Sequence, residues 1–408
     1  MRISTSMMNQ GALNGIETAQ AQAAQTQAQL STGKSINSPA DDPVGAVQLL
    51  QLNNAKSQNQ QYLSNGKAAN TNLSLENTAL TTATTTLQSI RDLVVQANSG
   101  TNTPADSKDI ATQISSLEGQ LQGAANSQNS QGQYLFAGFS SNTQPFVRGN
   151  SGSISYVGDN GTSSVQIDSG TSVQTGDPGS SVFMNIQGGN GTFSTSAGNN
   201  GGTGVADAGS VLSASTYQAA QAASPAPYTI TFSSPTTYTV TDGASNTVTT
   251  GTYDPTKGAE IQFNGIEVGI SGAPARNDTF TLAPAARQSV FNTIDNIVSA
   301  LNNAGSSSAS KAQLSTVLGN SLQQIDNASN QITNVAANVG ARINLISSSA
   351  NSVNTNSTTV SAEISSIGDL DYAAASSKYS QQLVALQAAE QSYVAIENLS
   401  LFKVLRGG

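Results

Sequence analysis

Carboxylates are the groups of this chain best placed by type and spacing to do chemistry. Asp41 and Asp42 are adjacent, and Asp369 and Asp371 stand two apart, spacings that could serve a general acid and a general base. Each pair, however, lies where a helix is expected to start: Asp42 precedes Pro43, and Asp369-Leu370-Asp371-Tyr372 follows a stop at Gly368. There a carboxylate accepts from free backbone N–H groups and meets the helix dipole favourably, so Asp42 and Asp369 are assigned as helix caps. The chain holds no Cys, His or Trp in 408 residues. That removes a thiol nucleophile, an imidazole base and a Cys/His metal cage. No catalytic, cofactor-binding or metal residue is assigned, and the chain is read as a non-enzyme.

A net charge of -9, with the Lys and Arg residues scattered, argues against nucleic acid or an anionic membrane as partner, since either needs a basic stripe. No stretch approaches the roughly 18 apolar residues of a membrane span, and Met1-Arg2-Ile3-Ser4-Thr5-Ser6 lacks the apolar core of a cleaved signal. The Gly-rich stretches Gly188-Gly189-Asn190-Gly191-Thr192 and Gly201-Gly202-Thr203-Gly204-Val205 lack both the Asp of a calcium nonapeptide and the Lys of a phosphate loop. The whole Gly-rich part from Gly188 to Gly209 is read as surface loop.

The element that must organise the rest is Leu314 to Ile367. One lane of it carries Leu318, Ile325, Ile332, Val339, Ile346, Val353, Val360 and Ile367, apolar at every seventh residue, the mark of a helix whose seam always faces a partner. Such a helix would run roughly 80 Å and needs companions of similar length. Its second lane, Leu314, Ser321, Ala328, Val335, Arg342, Ser349, Asn356 and Glu363, turns polar or small. The later half therefore packs loosely, approaches a neighbour closely, or is completed by another molecule. A second long helix alternates at four and three through Tyr62, Gly66, Ala69, Leu73, Glu76, Leu80, Ala83, Leu87, Ile90, Val94 and Ala97. Glu76 interrupts this apolar seam, and Arg342 is expected to pair with Glu76 or with a neighbouring subunit.

The ends are thinner. From Asn14 to Leu30 the large aliphatics are Ile16 and Leu30 alone, too little to hold a helix down in water, so this segment is expected to be disordered in the monomer and helical among neighbours. Gly33 suits a left-handed C-cap, and Asp42-Pro43 restarts the chain. At the other end Tyr372, Tyr379, Leu386 and Tyr393 stand seven apart, with Leu383, Ile396, Leu399 and Phe402 broadening the stripe. The terminal interface is accordingly assigned to Ile3, Ile16, Leu30, Tyr379, Leu383, Leu386, Tyr393, Ile396, Leu399 and Phe402. Glu76, Arg342, Asn356 and Glu363 mark the bundle seam and a candidate interface.

Between the helical ends, Ser140 to about Ala283 reads as an inserted β domain. Tyr228, Ile230 and Phe232, then Tyr238 and Val240, alternate as strands, and Asn264-Gly265 makes a hairpin between Ile261-Gln262-Phe263 and Ile266-Glu267-Val268. Thr279 to Leu282 is expected to close the domain. The fold class is α+β and multidomain: an elongated coiled-coil-like bundle formed by both chain ends, with a mainly-β insertion. The divisions fall at 1–40 plus 369–408, 41–139 plus 285–368, and 140–284.

Taken jointly, Met1-Arg2-Ile3-Ser4, Leu30 to Gly45, Tyr134-Leu135-Phe136-Ala137-Gly138-Phe139, Pro145-Phe146 and Val339-Gly340-Ala341-Arg342-Ile343-Asn344 resemble the hook-associated protein 3 family of bacterial flagella, within the flagellin-like proteins. The likeness spans roughly the first 147 and last 125 residues. It departs from the family pattern at Ser35, where a basic residue is common, and at Gly368, where an acidic one is usual. The resemblance implies an extracellular subunit exported unfolded through the flagellar type III channel, with an export chaperone. It also implies self-association into a junction ring, with hook-associated protein 1 and flagellin as axial partners. A flagellin filament subunit and a secreted adhesin that binds glycans through residues 140–284 are the alternatives.

Overall fold

The computed structural model describes residues 5–405 apart from 151, with side chains from 7 to 396. Seven α-helices are described: α1 Thr5–Thr32, α2 Pro43–Ala97, α3 Pro104–Ala125, α4 Ala214–Ala223, α5 Val290–Asn302, α6 Ser308–Gly368 and α7 Tyr372–Leu405. The chain divides into two compact units, Met1–Ser64 with Ser349–Gly408, and Asn65–Ser348.

In the second unit, the seven-residue lane of α6 is buried at Leu318, Ile325, Ile332, Val339 and Ile346, and the four-three lane of α2 is buried from Ala69 to Ala97. These side chains join one cluster with Ile110, Ile114 and Leu121 of α3 and with Ile294, Ile297 and Leu301 of α5. An Arg91–Asp326 ion pair at 2.8 Å spans α2 and α6. The short helices have explicit starts. Thr103 and Asp106 form a reciprocal capping box on α3, with Pro104 at the first position, and Ser289 caps α5. Aromatic residues outside the long helices complete this core: Phe183 meets Phe136 and Phe146 edge to face, each at 5.4 Å and 84°.

The insertion carries its own core. Five antiparallel strands lie in the order Thr247–Thr252, Thr237–Thr241, Tyr228–Ser234, Thr279–Pro284, Phe193–Ala197. Tyr228, Ile230, Phe232, Phe280 and Leu282 cluster with Ile261, Phe263, Ile266, Val268 and Ile270 of a second sheet. The hairpin turns at Asn264 and Gly265, both at positive φ, 48° and 78°, with Phe263 opposite Ile266, as a type I′ turn requires. Thr279–Pro284 is the last strand of this sheet in chain order and lies inside it, paired on both sides. One expectation is corrected. The Gly-rich stretch is not all loop, because Phe193–Ala197 forms an edge strand that buries Phe193 and Thr195.

Candidate functional site: the terminal helices and the bundle seam

In the first unit α1 packs along α7. Residues at three- and four-residue spacing line both faces: Ile16, Ala19, Ala23, Thr26 and Leu30 on α1, and Ala375, Tyr379, Gln382, Leu386, Ala389, Tyr393 and Ile396 on α7, all at least half-buried. Leu383 is different, 39% exposed beside Val384 at 65% and Val394 at 56%. Ile3 lies outside the described residues, as do the side chains of Leu399 and Phe402.

A compact bend joins the helices. Gly33 closes α1 at φ +71°, and a Cβ there would stand 2.7 Å from the Tyr372 hydroxyl oxygen, so both conformation and space call for glycine. Ser35 donates through its hydroxyl to the Ile367 carbonyl at 2.7 Å and through its N–H to the Gly368 carbonyl at 2.8 Å. Lys34 and Asp369 form an antiparallel bridge. Asp41 accepts from the backbone N–H groups of Ser38 and Asn37 at 2.8 and 2.9 Å and from the Gln25 amide at 2.8 Å. Those bonds hold its carboxyl below the usual range.

Asp42 caps α2, accepting from Val44 N–H at 3.1 Å. The cap of α7 is Asp371, not Asp369: Asp371 accepts from Ala373 and Ala374 N–H at 3.0 and 3.1 Å. An N-cap immediately precedes the first helical residue, here Tyr372, whereas Asp369 is held by the bridge and by the Ser365 hydroxyl. Asp371→Ala should therefore cost the α7 start about 1 kcal/mol, and Asp369→Ala should leave it unchanged. Amide hydrogen exchange over residues 372–380 measures the difference.

In the second unit the seam's charges converge on a residue that periodicity did not single out. Arg342 does not meet Glu76 directly; its guanidinium pairs with Asp177, with both side chains mostly buried. Glu76, 1% exposed, accepts from Asp177 N–H at 3.2 Å. Burial, and then the Asp177 carboxylate beside it, push the Glu76 carboxyl up to about 9, against the pull of Arg342. A second cluster repeats the arrangement. Glu118, 3% exposed, accepts from Arg148 at 2.6 Å with Asp295 beside it, and burial raises the pKa of both carboxyls. Farther along α6, Ser349 is buried while Asn356 and Glu363 are exposed.

Comparison with known proteins fits this arrangement. Residues 3–141 match the bacterial flagellin N-terminal helical region, residues 322–405 the C-terminal helical region, and residues 196–284 the D2-like domain of flagellar hook-associated protein 1. The crystal structure of Xanthomonas campestris FlgL superposes with a TM-score of 0.70 at 31% identity, covering 77% of this chain and 99% of that one. The chain belongs to the FlgL family. Hook-associated protein 3 from Legionella pneumophila is similar at 29% identity with a TM-score of 0.72, over 78% of this chain and 98% of that one. Flagellar hook-associated protein 3 of Salmonella typhimurium is 37% identical over 152 residues, 37% of this chain and 48% of that protein. Its Escherichia coli counterpart is 39% identical over 146 residues, 36% of this chain and 46% of that protein. This chain thus spans about half the length of each of these two relatives. Within the family frame, both matched helical regions run through the terminal helices, and the β insertion falls between them.

Proposed function

We propose that this chain is a structural adaptor of the bacterial flagellum, forming the ring that joins hook to filament. It leaves the cell through the flagellar type III channel as an unfolded chain, with a chaperone. The ring meets hook-associated protein 1 on one side and flagellin on the other. Residues 1–40 and 369–408 form the inner tube and gain order among neighbours, with the ordering entropy offset by burial. Residues 41–139 and 285–368 form the rod, residues 140–284 the outer domain.

The observation that carries this proposal is the apolar surface of the first unit. The pair of α1 and α7 buries mostly small or half-covered side chains, while Val44, Val47 and Leu50 of α2 are 68%, 56% and 63% exposed. Their i, i+3, i+6 spacing keeps them on one side of the helix, and a run of exposed aliphatics marks an interaction surface. Val47→Asp with Leu50→Asp removes no buried contact. Expression of this variant in cells lacking the chain should leave bare hooks and flagellin shed into the medium, while the purified protein melts as the wild type does. Electron microscopy of the cells provides the measurement. Filaments of normal number and length on the variant cells would overturn the proposal.

A further inference from the structure

A pocket of about 230 Å³ opens in the second unit where α2, the loop after α3 and residues 161–177 meet. Asn72 and Gln133 line it with amides, Ser141 and Ser163 with hydroxyls, Asp177 with a carboxylate and Phe139 with an aromatic ring. Among the described residues, the Asn72 amide and the hydroxyls of Ser141 and Ser163 make no hydrogen bond within the protein, and the Gln133 amide nitrogen donates none. An amide offers both donor and acceptor and a hydroxyl offers both, so the wall presents an alternating, unengaged set. The one carboxylate, Asp177, is already occupied by Arg342 and by the Gln174 amide at 3.1 Å, which leaves no net charge for a ligand to answer.

Phe139 adds an apolar face to this polar wall. The residue is 67% exposed, yet its ring is seated: a Cβ on Gly161 would stand 2.2 Å from a ring carbon, so the ring lies against bare backbone. Asp159 fixes the approach by accepting from Phe139 N–H at 2.9 Å and Gly161 N–H at 2.7 Å. Gly138, at φ +67°, has the Asp159 carbonyl 2.4 Å from where a Cβ would be, so this approach tolerates glycine alone. Phe136 joins the bundle core and Ala137 is buried, whereas Phe139 is left out of it.

Unengaged amides and hydroxyls facing one exposed, oriented aromatic ring complement a neutral polyhydroxylated ring, whose hydroxyls exchange hydrogen bonds at its edge and whose C–H face rests on an aromatic plane. The volume lies below the roughly 300 Å³ at which pockets for larger ligands begin, a size for one sugar ring. We propose that this pocket binds a neutral pyranose, with Phe139 as its platform and Asn72 and Gln133 as its hydrogen-bonding edge. The site lies outside both the terminal helices and the five-stranded sheet, so it stands or falls separately from the assembly proposal.

The test is saturation-transfer NMR on the full-length chain with methyl glycosides of a hexose, a 6-deoxyhexose and an N-acetylhexosamine at millimolar concentration. At least one class should receive magnetisation, and Phe139→Ala and Asn72→Ala should each cut the transfer at least fivefold. Leu212→Ala, an exposed substitution in the β domain, should leave it unchanged. The melting temperature of each variant, measured alongside, separates a lost ligand contact from a lost fold. An array of immobilised oligosaccharides distinguishes the source: capture there assigns the terminal sugar of a glycan, and transfer to free glycosides alone assigns a small soluble sugar. Absence of transfer for all three classes, or transfer undiminished in both pocket variants, would overturn the assignment.

Discussion

Arg342→Ala should lower the stability of the second unit by about 3 kcal/mol, the cost of leaving a buried charge without its partner, and its melting temperature by on the order of 10 °C. The reason lies in what the substitution leaves behind. Asp177 loses the guanidinium that now neutralises it, while Glu76 stays 1% exposed directly against it. Glu76 already holds a proton at neutral pH, so the uncompensated charge falls on Asp177, which must take a proton or leave the seam with the loop at Gly176-Asp177. Glu76→Gln in the same chain keeps that neighbour neutral at every pH and sets amide N–H donors beside the lone carboxylate, which restores part of the loss. Circular dichroism melts of the wild type, both singles and the double give the coupling. A single Arg342→Ala variant melting within a degree of wild type would show that the guanidinium adds nothing to the fold.

That cluster also shows where sequence reasoning stops. The lanes of α2 and α6 were legible because burying one face of a helix imposes a period, and every position from Leu318 to Val360 in the strong lane is buried. The polar positions of the seam were legible too, as interruptions at Glu76 and Arg342. Their common partner was not: Asp177 sits in a loop with no periodicity, roughly a hundred residues from Glu76 in sequence, and only tertiary folding brings it between the helices. Arg148, Glu118 and Asp295 escaped for the same reason, coming from a strand and two helices. Phe193–Ala197 was hidden differently. Its Ser and Thr look like loop, and its strand character comes from pairing with Thr279–Pro284, so context overrides composition. The cap of α7 was misplaced by two residues because both carboxylates suit a helix start and only the position of the first helical residue chooses between them.

Stability should fall as pH rises across the neutral range, opposite to what an acidic chain with salt-bridged carboxylates usually shows. Glu76 has an ordinary value of 4.5 and is pushed up to about 9 in the fold, so between these limits the folded state holds a proton that the unfolded chain has released. A group raised on folding contributes its full stability below the unfolded value and loses it on the way up to the folded one. One such proton gives a slope of about 1.4 kcal/mol lost per pH unit. Glu118 and Asp295 shift in the same direction and add to the loss. At the acid end Asp41, Asp106, Asp159, Asp242 and Asp254 are held below their usual value of 3.8, chiefly by hydrogen bonds to backbone and hydroxyl groups. Their contribution is present above that value and disappears as pH falls through the lowered ones. The two trends place the stability maximum at about pH 5. Urea unfolding from pH 4 to 9 measures the curve, and Glu76→Gln, which removes the largest raised carboxyl, should flatten its alkaline limb. A limb equally steep in the variant would place the bound proton elsewhere, with the Glu118 and Asp295 pair as the next site to substitute.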